Sequence, residues 1–137
     1  MGKAHTLAYK NCSLIFGNEP LKPVLHTIAD INIEVAKATA AYGNFKNFTN
    51  NWKEVVDNEE IDVIDIVTPN KLHPEIAIAA AKKGKHIYCE KPLAHTVFEA
   101  RTLANLTAEK NLVTQMGTQI HAGSNYRRVV ELVQAGV

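Results

Sequence analysis

Two hydrophobic periods alternate along the chain. Apolar runs of strand length occur at residues 24–29, 62–67, 86–89 and 112–116, each rich in Val, Ile or Tyr and bounded by turn residues such as Thr68-Pro69-Asn70. Within 62–67 the residues Val63, Ile64, Ile66 and Val67 fall on both faces, as in a parallel strand covered on both sides. Asp65 interrupts that run and needs a partner which the sequence does not name. Between the runs the period becomes helical. Residues 73–83 carry Ile76, Ala77, Ala80 and Ala81 on one stripe and stop at Gly84. Thr96-Val97-Phe98-Glu99 reads as a capping box opening a helix whose buried stripe is Val97, Ala100, Leu103 and Ala104. Asn51-Trp52-Lys53-Glu54 repeats the signal for a short helix through Val56. Tyr126, Val129, Val130 and Val133 recur at i, i+3, i+4 and i+7 before Gly136. A first helix runs from Lys3 to about Phe16 with Leu7, Ala8 and Leu14 or Ile15, and residues 17–23, with Asn, Gly and two prolines, are irregular. The alternation predicts βαβ units in an α/β, doubly wound parallel sheet. An opening helix is unusual for that architecture, which normally begins with a strand and a glycine-rich turn.

Composition narrows this picture without redirecting it. The 137 residues are 46% hydrophobic and 21% charged, an ordinary globular balance for one domain. Fifteen Lys and Arg against fourteen Asp and Glu leave a formal charge of +1, so the chain carries no bulk field for nucleic acid or an anionic membrane. No run approaches the roughly 18 apolar residues of a membrane span. Cys12 and Cys89 are too few for a disulfide scaffold and too isolated for a zinc site, which points to a reducing, cytoplasmic setting. The six histidines show no metal-ligand spacing.

In open α/β sheets ligands bind beyond the carboxyl ends of the strands. Asp30 follows the first run, with Asn32 close behind. An acid there accepts the adenosine ribose hydroxyls of a dinucleotide or caps the next helix, and both roles are compatible. Facing the ribose, its charge would favour NAD over NADP. Thr68, Pro69 and Asn70 form either a ligand-facing turn or an ordinary strand-to-helix connection, and His73 stands at a helix start. Glu90-Lys91-Pro92 directly follows a buried strand. A lysine there exchanges a proton with a substrate oxygen, while a solvated surface ion pair is the plainer alternative. Cys89 reads as a small core residue. After the last run, Gly117 permits close backbone approach, and Gln119, His121, Tyr126 and Arg127, with Arg128, are substrate-side candidates or a capped loop and solvated helix face.

Taken in order, Asp62-Val63-Ile64-Asp65-Ile66-Val67-Thr68-Pro69-Asn70, Leu72-His73, Gly84-Lys85-His86 and Glu90-Lys91-Pro92-Leu93-Ala94 closely resemble the glucose–fructose oxidoreductase and inositol dehydrogenase (Gfo/Idh/MocA) family. Gly2-Lys3-Ala4-His5 is similar to the last glycine of that family's G-x-G-x-x-G turn and the helix it opens. The resemblance implies a Rossmann-like domain binding NAD or NADP, and hydride transfer to or from a hydroxyl-bearing carbon of a sugar, polyol or related compound. It makes Lys91 the catalytic or substrate-orienting lysine. It places Gly2, Asp30, Thr68, Pro69, Asn70, His73, Glu90 and Pro92 around the cofactor, with Glu90 at a ribose, and makes Lys91–Pro92 a candidate cis bond. The segment Met116-Gly117-Thr118-Gln119-Ile120-His121 with Asn125-Tyr126-Arg127-Arg128 is similar to a branch containing NAD-dependent glycosidases, which act by oxidation, elimination and reduction. A non-catalytic binding or assembly module is the third alternative.

Measured against the family, residues 1–137 correspond to one NAD(P)-binding domain without its first strand, its first two fingerprint glycines and its second domain. The expectation is weak or absent cofactor binding, negligible catalysis by this stretch alone, and unpaired strand edges that favour pairing with a second copy. Dinucleotide and a small carbohydrate-like substrate are the expected partners of a full-length form.

Overall fold

The computed structural model describes residues 1–17 and 20–137; Asn18 and Glu19, within the expected irregular stretch, lie outside the described residues. The elements are α1 (Gly2–Phe16), β1 (Thr27–Ala29), α2 (Ile33–Gly43), β2 (Asn47–Thr49), α3 (Trp52–Asp57), β3 (Val63–Ile66), α4 (His73–Lys82), β4 (His86–Glu90), α5 (Val97–Glu109), β5 (Thr114–Gly117) and α6 (Ser124–Gln134), with short 3₁₀ turns at Asn70–Leu72 and Gln119–Ala122. All strand pairs are parallel, in the orders β1-β2 and β3-β4-β5. The expected α/β parallel architecture is therefore present. Among the described residues β1 and β3 are not paired with each other, so the sheet is split in two.

The core lies on one face of the three-stranded sheet. Ile64, Ile66, Ile87 and Cys89 meet Ile76, Ala77, Ala80 and Ala81 of α4 and Leu103 of α5. The α4 stripe is buried as its spacing predicts, and Gly84, at φ 75°, follows the helix in the left-handed region that favours glycine. The α5 capping box is complete: Glu99 N–H donates to Thr96 Oγ1, and Thr96 N–H to Glu99 Oε2.

The opposite sheet face departs from expectation. Val63 is 53% exposed, so β3 is not covered on both sides. On that face His5, in the first turn of α1, meets Asp65. The apolar stripes predicted for α1 and α6 also lie outside: Leu7, Leu14 and Ile15, and Tyr126, Val129, Val130 and Val133 are all exposed. Both helices form at the predicted positions, but no layer of the described residues covers those stripes. In α5, Val97 and Ala104 are exposed, and Leu103 with Leu106 supplies the packing. The first run contracts to β1. Residues 25–26 still pair irregularly, as Leu25 and His26 carbonyls accept from Lys46 and Asn47 N–H groups. The structure adds α2 as an explicit element and β2, whose three residues are too short for a visible period. Gly43 closes α2 against α1; a Cβ there would lie 2.7 Å from Thr6 Cγ2 and 2.6 Å from the Phe45 ring.

Candidate functional site

The carboxyl end of β4 carries the densest polar grouping. Glu90, the last strand residue, is 7% exposed. Its Oε1 lies 3.3 Å from His5 Nε2, and its Oε2 accepts from Gln119 Nε2 at 3.4 Å. Gly117 stands beside Glu90 in the parallel register. A Cβ at Gly117 would fall 2.5 Å from Glu90 Oε1 and 3.1 Å from the Tyr88 hydroxyl oxygen, so the carboxylate occupies the space a side chain would take. Lys91 and Pro92 follow on the surface, joined by a cis peptide bond, and line an open groove with Leu93, Val97 and Met116.

Asp65 finds the partner its sequence position demands. His5, in the first turn of α1, donates from Nδ1 to Asp65 Oδ2 at 2.9 Å. Tyr9, one helical turn further along the same face of α1, stands beside the Asp65 carboxylate and interacts with it electrostatically. Burial drives the Asp65 carboxyl above its ordinary range, while the hydrogen bond and charge of His5 oppose that rise. Tyr9 and Tyr88 hydroxyls are likewise held protonated to higher pH by burial, and then by carboxylate neighbours: Asp65 beside Tyr9, Glu90 and Asp65 beside Tyr88. The His5 ring meets Tyr88 edge-on at 5.5 Å. His5 and Tyr9 are the functional-site residues that sequence reasoning missed. The available signal was the conjunction of an orphan strand carboxylate with two polar residues at i, i+4 on a helix.

His73 is 1% exposed, and both ring nitrogens lie 2.8 Å from main-chain carbonyl oxygens, those of Pro92 and Thr68. It therefore ties the turn after β3 to the turn after β4. With both nitrogens engaged, its influence on a ligand passes through those turns. Thr68 Oγ1 is buried without a protein partner, whereas Asn70 is exposed at the start of the 3₁₀ turn.

At the other sheet, Asp30 follows β1 and donates its N–H to the Thr49 carbonyl. Its Oδ1 accepts from Asn32 N–H; the α2 cap is Asn32, whose Oδ1 accepts from Glu34 and Val35 N–H groups. The capping alternative for Asp30 thus passes to Asn32. The α1 N-terminus, beginning at Gly2, has neither a side-chain cap nor an acidic residue in its first turn. Such an end leaves N–H groups and positive dipole free for an anion. An uncapped helix end, a carboxylate following β1 and an orphan hydroxyl following β3 are donors and acceptors of the kinds that fit a dinucleotide.

The remaining candidates sit farther along. His121 and Tyr126 stack at 4.5 Å, Gln119 reaches Glu90, and Arg127 and Arg128 are exposed on α6. Cys89 is fully buried on the core face, and burial, then Glu90 and Asp65, push its thiol up to about 11, which makes it a poor nucleophile. Among the described residues no cluster of three metal-ligating side chains occurs, and no helix is long and apolar enough to cross a membrane.

Comparison with known proteins agrees with this geometry. Residues 2–118 match the Gfo/Idh/MocA family, an oxidoreductase family with an NAD-binding Rossmann fold. Levoglucosan dehydrogenase of Pseudarthrobacter phenanthrenivorans is 45% identical over 128 residues, which cover 93% of this chain and 31% of that protein. A solved levoglucosan dehydrogenase in complex with NADH and levoglucosan aligns at TM-score 0.83 and 45% identity, over 88% of this chain and 33% of its own. An NAD-binding oxidoreductase from Klebsiella pneumoniae aligns at TM-score 0.88 and 31% identity, over 99% of this chain and 36% of its own. The chain thus spans about a third of the length of these relatives. By fold and by sequence, it belongs to the Gfo/Idh/MocA oxidoreductases through their NAD-binding Rossmann fold.

Proposed function

We propose that residues 1–137 form the cofactor domain of an NAD-dependent dehydrogenase acting on a hydroxyl of a sugar, polyol or related compound. The observation that carries this reading is the pairing of a buried, clamped Glu90 with a free Lys91 at the carboxyl end of the central strand of β3-β4-β5. The levoglucosan and NADH complex of a 45% identical relative supports both the substrate class and the cofactor.

The dinucleotide, when bound, supplies the hydride acceptor or donor. Gly2 and the uncapped start of α1 would hold its pyrophosphate, and Asp30 its adenosine ribose, where the carboxylate would disfavour a 2′-phosphate. Thr68, Pro69 and Asn70 would line it, and a bound group would give Thr68 Oγ1 the hydrogen bond it lacks. Glu90 and Pro92 would contribute to the same site, and His73 holds both turns in register. Lys91 Nζ orients the reacting hydroxyl and takes its proton. Gln119, His121, Tyr126 and Arg127 stand toward the substrate.

The test is NADH formation by the full-length gene product over a panel of sugars and polyols. Replacement of Lys91 by Met is expected to lower the rate by at least ~10²-fold with NADH binding retained. A Lys91→Met protein of undiminished rate contradicts the assignment. Release of a chromophoric aglycone without net NADH would replace oxidation by the glycosidase reaction.

A further inference from the structure

We propose that His5 is a positioning residue that pins α1 to the three-stranded sheet by bridging Asp65 and Glu90, and so fixes the Glu90 carboxylate in the space beside Gly117. Three sets of contacts carry this. First, the two ring nitrogens serve different strands: Nδ1 is 2.9 Å from Asp65 Oδ2 on β3, and Nε2 is 3.3 Å from Glu90 Oε1 on β4. Second, the two carboxylates have only 21% and 9% of their side-chain surface exposed, and His5 is the one partner within ion-pair distance of either among the described residues. Leaving two such groups without a hydrogen-bonding partner is costly, because low dielectric strengthens their repulsion and removes their hydration. Third, α1 buries only Thr6, and its apolar residues Leu7, Leu14, Ile15 and Phe16 are exposed. Hydrophobic packing therefore does little to set where α1 meets β3 and β4, and the polar contacts of His5 fix that position instead.

The groups facing His5 are Asp65 of β3 and Tyr88 and Glu90 of β4, with Tyr9 of α1 beside Asp65. Gln119, after β5, holds the other oxygen of Glu90. A chain of contacts thus runs from the first turn of α1 to the turn after β5. Its consequence for the cofactor rests on the dinucleotide reading above: one residue couples the helix end that faces a pyrophosphate to the carboxylate beside Lys91.

Carboxyl carbon-13 NMR titration of this chain, as wild type, His5→Leu and His5→Gln, tests the pin directly. Loss of His5 removes the interactions that hold the Asp65 carboxyl down, so its midpoint should move to higher pH in His5→Leu and by less in His5→Gln, which keeps one donor. The Gly117 amide should shift with the freed Glu90 side chain. Unchanged Asp65 titration and an unmoved Gly117 amide in both variants would overturn the proposal; if His5→Leu does not fold, His5→Gln decides. NADH titration of the same samples should weaken by about tenfold in His5→Leu. NADH binding that leaves the Gly2 to His5 amides of the wild-type chain unmoved would count against the dinucleotide reading, while the carboxyl titration would still decide the role of His5.

Discussion

A carboxylate inside a strand has two ways to reduce the cost of burial, a proton or a cation, and Asp65 is placed to use both. Burial raises its affinity for a proton, and the His5 contact lowers it; burial is the larger effect, so the folded value lies above the ordinary 3.8. A proton held more tightly by the folded chain than by the unfolded one stabilises the fold at low pH. That contribution is complete below about 3.8 and is lost as pH rises through the raised folded value. Urea unfolding of the wild type and of Asp65→Asn at a series of pH values checks the sign. The wild type should lose stability relative to Asp65→Asn as pH rises from that point, and a pH-independent difference would contradict it. The same residue marks the boundary of what the sequence discloses. Its need for a partner was legible from an acid between Ile64 and Ile66. The identity of that partner was not, because His5 lies sixty positions away and only the packing of α1 on the sheet brings them together.

At the scale of elements, legibility followed the source of each element's stability. Helix α4 and the start of α5 were readable to within a residue or two because their signals are local: a four-residue apolar stripe, a glycine stop and a reciprocal cap. Strand β2 was invisible because Asn47, Phe48 and Thr49 hold their place through pairing with β1, not through any period of their own. The stripes of α1 and α6 were correctly located but lie exposed, since periodicity says which residues share a face but not whether another layer meets it. The α1–α2 contact is set by Gly43, where Thr6 and Phe45 fill the volume of a Cβ. Gly43→Ala should therefore destabilise the chain by about 1–3 kcal/mol through overpacking, despite the better helix propensity of alanine. Equilibrium denaturation reads this, and a stabilised variant would show that α1 and α2 are not in close contact there.

For the molecule as a whole, structure and chemistry are divided between the faces and the ends of the sheets. One face of β3-β4-β5 carries the apolar core under α4 and α5; the other carries Asp65, Tyr88 and Glu90 with His5 and Tyr9 over them. The strand ends collect Asp30, Thr68, Glu90 and Lys91. A candidate site could therefore be read from the polar residues that close each apolar run, while the coupling among them could not. Amide NMR titration of this chain with NADH and NADPH tests the central claim, because it detects millimolar as well as tight binding. Perturbed amides should cluster at Gly2 to His5, Asp30 to Asn32, Thr68, Asn70, Glu90 and Lys91, with NADH bound more tightly than NADPH and the preference removed in Asp30→Ala. Perturbations scattered away from these strand ends, or tighter binding of NADPH than of NADH, would contradict the account.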